Sequence, residues 1–174
     1  MSMHPSRNLF KEFPNRVYVE TGAWLGDSIQ LALDAGFEEI HSLEIDREKV
    51  DHCAQRFAGQ NVYVHHKDSA TGLWDVIKSI NEPITFWLDS HSQLLEGEPE
   101  SANPFPLLDE LEQIARHPLK NHTIIIDDFL LMSHPDVTGC GKYTIMARLM
   151  AIYPGYKISF FANPVKNNLL VAHN

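Results

Sequence analysis

The order of the apolar segments constrains this chain most, because strand-like and helix-like segments alternate along most of its length. Segments rich in β-branched and aromatic residues predict strands, and they lie at 16–20, 39–44, 61–65, 84–89 and 122–127. Segments with apolar residues at helical spacing predict helices, and they lie at 28–34, 48–57, 71–80, 106–117 and 142–152. This alternation is typical of a parallel sheet with helices on both faces.

Two more strand-like segments, 157–161 and 169–172, predict a C-terminal hairpin joined across Asn163 and Pro164. The last strand would then run antiparallel to the others. We therefore predict an α/β fold, Rossmann-like and doubly wound, with a mainly parallel seven-stranded sheet and an antiparallel last strand. A length of 174 residues suits a single domain. We expect residues 1–15 to form an N-terminal extension of that domain.

Charge and composition narrow the classes of partner. The chain has 23 acidic and 14 basic residues, a formal net charge of -9, which disfavours nucleic acid because phosphate backbones bind Lys and Arg. The apolar stretches are far too short to span a membrane, and the N-terminus lacks the apolar core of a secretory signal. Cys53 and Cys140 form no CxxC pair, so a disulfide framework is not indicated. We expect a cytoplasmic protein.

Acidic residues follow all five predicted parallel strands. Doubly wound sheets bind ligands at the carboxyl ends of their strands, which makes these acids candidates for a binding site. For any single acid, the alternative is a helix N-cap or first-turn residue. The acids are Glu20, Glu44, Asp68, Asp89 and the pair Asp127 and Asp128.

The first strand leads into the sequence ETGAWLGDS, in which Gly22 and Gly26 bracket a tight turn and Asp27 or Ser28 can cap the next helix. Trp24 occupies the place of the second glycine of a dinucleotide fingerprint, the glycine that lets backbone approach a pyrophosphate. No GxxxxGK[ST] motif is present either. The turn therefore indicates a ligand without a pyrophosphate.

Three of the acids together match the polar groups of one nucleoside ligand. Glu44 ends the second strand about 20 residues after the turn, where a carboxylate accepts hydrogen bonds from ribose hydroxyls. Asp68, followed by Ser69, can accept from an adenine amine, and Glu20 can accept from an ammonium group. A ribose, an adenine and an amino-acid end describe S-adenosylmethionine (SAM).

The motifs ETGAWLGDS, SLEID, HKDSA and FWLDSH resemble those of class I SAM-dependent methyltransferases. With PLLDELEQI, NHTIIIDDF and YPGYKIS, the chain is similar to small O-methyltransferases encoded with glycan or natural-product biosynthesis enzymes. The resemblance implies a set of cofactor-binding residues, namely Glu20, Gly22, Trp24, Gly26, Asp27, Ser28, Glu44, Asp68 and Ser69.

The resemblance also implies a divalent-metal site formed by Asp89, Asp127 and Asp128. Three converging carboxylates repel one another unless a cation such as Mg²⁺ neutralises them. A bound cation would lower the pKa of an acceptor hydroxyl. Alternatively, Asp128 caps a following turn and only Asp127 faces the site.

His91, two residues after Asp89, is a candidate general base for the acceptor hydroxyl. Together these two residues form the predicted catalytic set. The following segment, 92–104, is polar and acidic, where the resembling family tends to have a glycine-rich, aromatic stretch. Its length predicts either a mobile lid over the acceptor or a disordered loop.

The sequence thus predicts methyl transfer from SAM to a hydroxyl of a small sugar-like or natural-product acceptor. Two alternatives remain open: a non-catalytic nucleoside-binding protein of the same fold, and an NAD-dependent oxidoreductase, which Trp24 disfavours. A homodimer would supply walls of the acceptor site that so short a chain lacks.

Overall fold

A computed structural model of the protein describes residues 7–92, 99–163 and 165–174. The strands are β1 (Val17–Thr21), β2 (Glu39–Glu44), β3 (Val62–His66), β4 (Ile84–Leu88), β5 (Thr123–Ile126), β6 (Lys157–Asn163) and β7 (Val165–His173). The helices are α1 (Arg7–Glu12), α2 (Asp27–Ala35), α3 (Arg47–Arg56), α4 (Ser69–Ile77), α5 (Leu107–Ala115), α6 (Phe129–Met132), α7 (Pro135–Thr138) and α8 (Lys142–Ile152). Every predicted strand and helix is confirmed, whereas α1, α6 and α7 were not predicted.

All seven strands form one sheet in the order β3-β2-β1-β4-β5-β7-β6. Neighbours from β3 to β5 are parallel, and β7 is antiparallel to both β5 and β6. The predicted doubly wound sheet with an antiparallel last strand is therefore confirmed. The strand order reverses between β1 and β4, which is the point where such sheets open a crevice for ligands.

Both faces of the sheet are buried, which explains why the central strands are apolar without alternation. On one face, Val19, Phe86 and Ile124 belong to a core shared with α4, α5 and α8. On the other face, the neighbouring residues Tyr18 and Trp87 belong to a core shared with α1, α2 and α3. No helix in the described ranges is long and apolar enough to cross a membrane.

Helix α1 makes part of the N-terminal segment a component of the core. Phe10 is buried and packs edge-on against Tyr18 and Trp87, with ring centroids 5.3 and 5.4 Å apart. Aromatic pairs in this geometry add stability beyond the burial of their surface. Removing residues 1–15 would therefore expose the sheet face above these rings.

The buried pair His117 and His122 lies at the N-terminal ends of β4 and β5, at the end of the sheet away from the crevice. The backbone N–H of Ile84 donates to Nδ1 of His122 at 3.1 Å, so the proton of the neutral ring is on Nε2. Nε2 then donates to Nδ1 of His117 at 3.1 Å, and Nε2 of His117 donates to the carbonyl of Ile80 at 2.8 Å. The ring of His122 is therefore held between a donor and an acceptor in the neutral form.

This pair predicts a pH-dependent contribution to stability. Burial, with the adjacent His117, lowers the pKa of His122 from 6.5 to about 4. The unfolded chain therefore binds the proton first as pH falls, and the contribution is lost between about pH 6.5 and pH 4. We expect the stability advantage of the wild type over His122→Asn to shrink by about 3 kcal/mol across this range. Denaturant unfolding at pH 7.5 and pH 4 measures it.

The exposed His52 supplies the matched control, since His52→Asn makes the same change outside the core. The free energies of unfolding of this variant and the wild type should differ by the same amount at both pH values. An advantage over His122→Asn that does not change with pH would contradict the prediction.

Candidate functional site

A cavity of about 940 Å³ opens at the carboxyl ends of the parallel strands, at the reversal of strand order. Of the thirteen residues predicted to form the site, all but Glu20 and Gly26 line it. The predicted residues in the lining are Gly22, Trp24, Asp27, Ser28, Glu44, Asp68, Ser69, Asp89, His91, Asp127 and Asp128. The strand ends thus converge as the acidic pattern predicted.

The turn after β1 is packed too closely for any side chain at Gly22. Its φ is +86°, in the left-handed region that glycine occupies without strain. A Cβ atom there would lie 2.9 Å from the carbonyl oxygen of Asp89. The N–H of Gly22 donates to the carbonyl of Leu43 at 2.9 Å, which fixes the turn against β2. Gly22 therefore allows the ends of β1 and β4 to approach each other.

Gly26 contributes to packing, since the cavity wall does not include it. Its φ is +85°, and a Cβ there would lie 2.5 Å from the ring of Phe57. The prediction that Asp27 or Ser28 caps α2 is wrong: the helix begins at Asp27, and Gly26 occupies the N-cap position without a side-chain bond. Asp27 instead accepts a hydrogen bond from Arg56 at 2.8 Å.

Glu44 presents its carboxylate at the cavity edge and is held there by two backbone donors. The N–H of Trp24 donates to Oε2 and the N–H of Asp46 donates to Oε1, both at 2.9 Å. A carboxylate has about four acceptor positions, so two remain for ligand hydroxyls. Trp24 has a φ of +47° and is 55% exposed, and the ammonium of Lys49 lies 4.0 Å from its ring centroid.

Glu20 does not line the cavity, and its predicted contact with a ligand ammonium stays a prediction. Side chains alternate along a strand, so Glu20 lies on the same face as Tyr18, and it has no exposed surface. The hydroxyls of Tyr18 and Ser42 donate to its two oxygens at 2.9 and 2.6 Å. Burial raises the pKa of Glu20 to about 7. It therefore belongs to a buried polar network with Tyr18 and Ser42.

Asp68 lines the cavity and is also the N-cap of α4. Its Oδ1 accepts from the N–H of Ala70 at 2.9 Å. Its Oδ2 accepts from the N–H of Ala102 at 2.6 Å and from the hydroxyl of Ser101 at 3.1 Å. An adenine amine would share Oδ2 with these donors. The segment after residue 98 therefore lies against this end of the cavity, and residues 93–98 of the predicted lid lie outside the described part.

A second group of side chains lies beyond the ends of β4 and β5. One donor atom each from Asp89, His91 and Asp128 lie within 4.8 Å of one another. Nδ1 of His91 is 3.8 Å from Asp89, and Nε2 is 3.7 Å from Oδ2 of Asp128. Burial, with the charges of Asp127 and Asp128, raises the pKa of Asp89. We call these three residues the acid–histidine cluster.

Asp127 is not in this cluster, which therefore differs from the predicted ligand set of Asp89, Asp127 and Asp128; that set stays a prediction. The side-chain amide of Asn163 donates to both of its oxygens, at 2.9 and 3.0 Å. Asp128 occupies the N-cap position of α6 with a φ of +46° but makes no side-chain capping bond. Asp127 and Asp128 both line the cavity, which does not favour the alternative in which only Asp127 faces it. In the cluster, His91 stands beside Asp89 and Asp128.

Most of the charged residues that line the cavity are acidic. Six carboxylates line it, and two of its residues, Lys49 and Lys67, are lysines. Neither lysine was predicted, because both are half-buried and neither belongs to the acidic pattern at the strand ends. The amide contact from Asn163 was also missed, since it comes from β6, 36 residues further along the chain.

Comparison with known proteins was made against families, curated proteins and solved structures. No family model matches the chain. No curated protein matches it either. Among solved structures, the SAH-bound methyltransferase PaMTH1 from Podospora anserina matches with a TM-score of 0.64 and 13% identity, over 96% of this chain and 75% of that one.

The names of two further solved structures indicate different kinds of methyltransferase. The O-methyltransferase TomG from Streptomyces achromogenes, in complex with SAM, matches with a TM-score of 0.61 and 13% identity over 96% of this chain and 76% of TomG. The 23S rRNA methyltransferase ErmE matches with a TM-score of 0.61 and 14% identity over 100% of this chain and 70% of ErmE. The chain has the fold of SAM-dependent methyltransferases. At these identities the likeness does not select an acceptor.

Proposed function

We propose that the protein is a SAM-dependent methyltransferase that acts on a hydroxyl of a small sugar-like or natural-product acceptor. The observation that supports this most is the presence, in one cavity, of Glu44 at one end and the acid–histidine cluster at the other. The first suits the ribose of a nucleoside, and the second suits the activation of a hydroxyl. SAM, when bound, supplies a methyl group already activated on a sulfonium.

The residues of the chain would therefore mainly bind and orient the reactants. Glu44 would accept hydrogen bonds from the ribose, with its orientation maintained by the N–H groups of Trp24 and Asp46. Asp68, at the end of the neighbouring strand β3, would accept from the adenine amine in the same cavity. Gly22 keeps the turn after β1 close to the end of β4.

The donor set of the cluster fits a divalent cation. Asp89 and Asp128 offer carboxylate oxygens and His91 offers an imidazole nitrogen, within 4.8 Å of one another. Opposite ligands of a Mg²⁺ ion span about 4.2 Å, so the cluster needs only a small contraction. A bound cation would supply Lewis acidity toward the acceptor hydroxyl. The mixed oxygen and nitrogen set suits Mn²⁺ at least as well as Mg²⁺.

The charge of the lining favours a small acceptor without phosphates. Six carboxylates and two lysines give the cavity a negative field, which repels a nucleic-acid backbone. Transfer of label from methyl-tritiated SAM, measured over a panel of saccharides, phenolic natural products and an rRNA transcript, tests this proposal. We expect label in a hydroxylated small molecule and none in the RNA. Label in the RNA alone would contradict it.

A neutral imidazole has one free lone pair, so His91 would either ligate the cation or act as the base. As the base, it would take the proton of the acceptor hydroxyl at Nε2, the nitrogen that faces the more exposed Asp128. We expect His91→Gln to lower turnover about 100-fold or more, the usual effect of losing a general base, and to leave SAH affinity within twofold of the wild type. Turnover on the acceptor found in the panel and calorimetric titration of SAH measure the two effects. His52→Gln, an exposed substitution of the same kind, is the control. Equal turnover of His91→Gln and the wild type would remove His91 from the mechanism.

A further inference from the structure

Two asparagines of the C-terminal hairpin contact the two adjacent acids that follow β5. Asn163, at the end of β6, and Asn168, in β7, are each 7% exposed. Asn163 donates to Asp127, whereas Asn168 donates to Oδ1 of Asp128 at 2.8 Å. Each acid therefore has its own amide donor, supplied from the antiparallel part of the sheet.

The two contacts leave the acids in different states. Asn163 occupies both oxygens of Asp127, and the N–H of Asp128 donates to one of them at 2.8 Å. Asn168 occupies only one oxygen of Asp128, so the other, Oδ2, is directed toward His91 at 3.7 Å. The hairpin thus gives different hydrogen-bond partners to two adjacent aspartates that the sequence alone does not tell apart.

Asn168 is itself fixed on three sides. Its amide nitrogen also donates to the carbonyl of Asn163 at 2.9 Å, and its oxygen accepts from the N–H of Leu130 at 3.3 Å. Asp128 has a φ of +46°, a conformation that costs a non-glycine residue free energy and persists only where its surroundings impose it. The bond from Asn168 therefore holds a strained residue in the orientation that completes the cluster.

We propose that Asn163 and Asn168 are positioning residues that assign the roles of the two acids: Asn163 retains Asp127 as a buried structural group, and Asn168 directs Asp128 into the cation site. This inference rests on the cation site of the proposed function. Groups that orient metal ligands from outside the coordination sphere change metal affinity by about 10- to 100-fold when they are removed.

Titration of Mn²⁺ by electron paramagnetic resonance, with SAH affinity measured separately by calorimetry, tests this assignment. Asn168→Leu keeps the side-chain volume but removes the donor, and we expect it to weaken Mn²⁺ binding at least tenfold. The isosteric pair Asp127→Asn and Asp128→Asn gives a second test. We expect the Asp128 variant to lose Mn²⁺ binding and the Asp127 variant to remain within threefold of the wild type. All should bind SAH normally.

Val165→Ala, at a 54% exposed position in the same hairpin, is the matched control and should bind Mn²⁺ like the wild type. Unchanged Mn²⁺ affinity in Asn168→Leu, or equal losses in the two aspartate variants, would overturn the inference. A wild type that binds SAH but no Mn²⁺ would overturn it too, while the nucleoside site of the proposed function would stand. A wild type that binds neither would reject both.

Discussion

Replacing Glu44 with alanine should lower the affinity of the protein for SAH about 100-fold or more. The change removes the carboxylate proposed to accept from the ribose, and charged hydrogen bonds of this kind contribute about 1.5 to 3 kcal/mol. It also leaves the N–H groups of Trp24 and Asp46 without their acceptor. A 100-fold loss corresponds to about 2.7 kcal/mol. Calorimetric titration of SAH into both proteins measures it.

Glu48→Ala is the matched control for this prediction, because it removes the same group from an exposed position four residues away. We expect its SAH affinity to equal that of the wild type. Thermal unfolding of both variants would establish that the fold is intact. If Glu44→Ala bound SAH within threefold of the wild type, the ribose would not bind to the carboxylate at the end of β2.

Gly22→Ala should have the largest effect on stability. The left-handed φ of +86° costs an alanine about 1 to 2 kcal/mol, and its Cβ would lie 2.9 Å from the carbonyl oxygen of Asp89. Because that neighbour is backbone, the contact is relieved only by separating the ends of β1 and β4, at about 1 to 3 kcal/mol. We therefore expect the free energy of unfolding to fall by about 3 kcal/mol in total, with weaker SAH binding. Denaturant unfolding measures the first effect.

The variant Gly59→Ala separates the conformational cost of a left-handed φ from the cost of the close contact with Asp89. Its φ of +82° nearly equals that of Gly22, but a Cβ there would have no atom within 4 Å. Gly59→Ala should thus cost only the conformational part, about 1 to 2 kcal/mol. Equal destabilisation by the two variants would show that the close approach to Asp89 has no energetic effect.

The fold could be predicted because its signals are local. Apolar periodicity of 2 or 3.6 residues identifies each long helix and strand, and the 174-residue length accommodates one sheet. Helices α6 and α7 were not predicted because each is four residues long, too short for a periodic pattern. Helix α1 has six residues, and its burial depends on the distant rings of Tyr18 and Trp87.

The cavity could be predicted as well, since parallel strands bring their carboxyl ends to one edge and an acid follows each of them. The orientation of each acid could not. Glu20 does not line the cavity because it is buried against the hydroxyls of Tyr18 and Ser42, which lie on two strands. Asp127 is held by Asn163, 36 residues later. Such contacts depend on the assembled sheet and leave no pattern in the neighbouring sequence.

The central claim is that the cavity at the end of β1 and β2 binds the nucleoside of SAM. Parallel calorimetric titrations of SAM, SAH and NAD into the wild-type protein test it most directly. We predict saturable one-to-one binding of SAM and SAH, and no binding of NAD at the same concentrations. Binding of NAD without SAM, or of none of the three, would contradict the account.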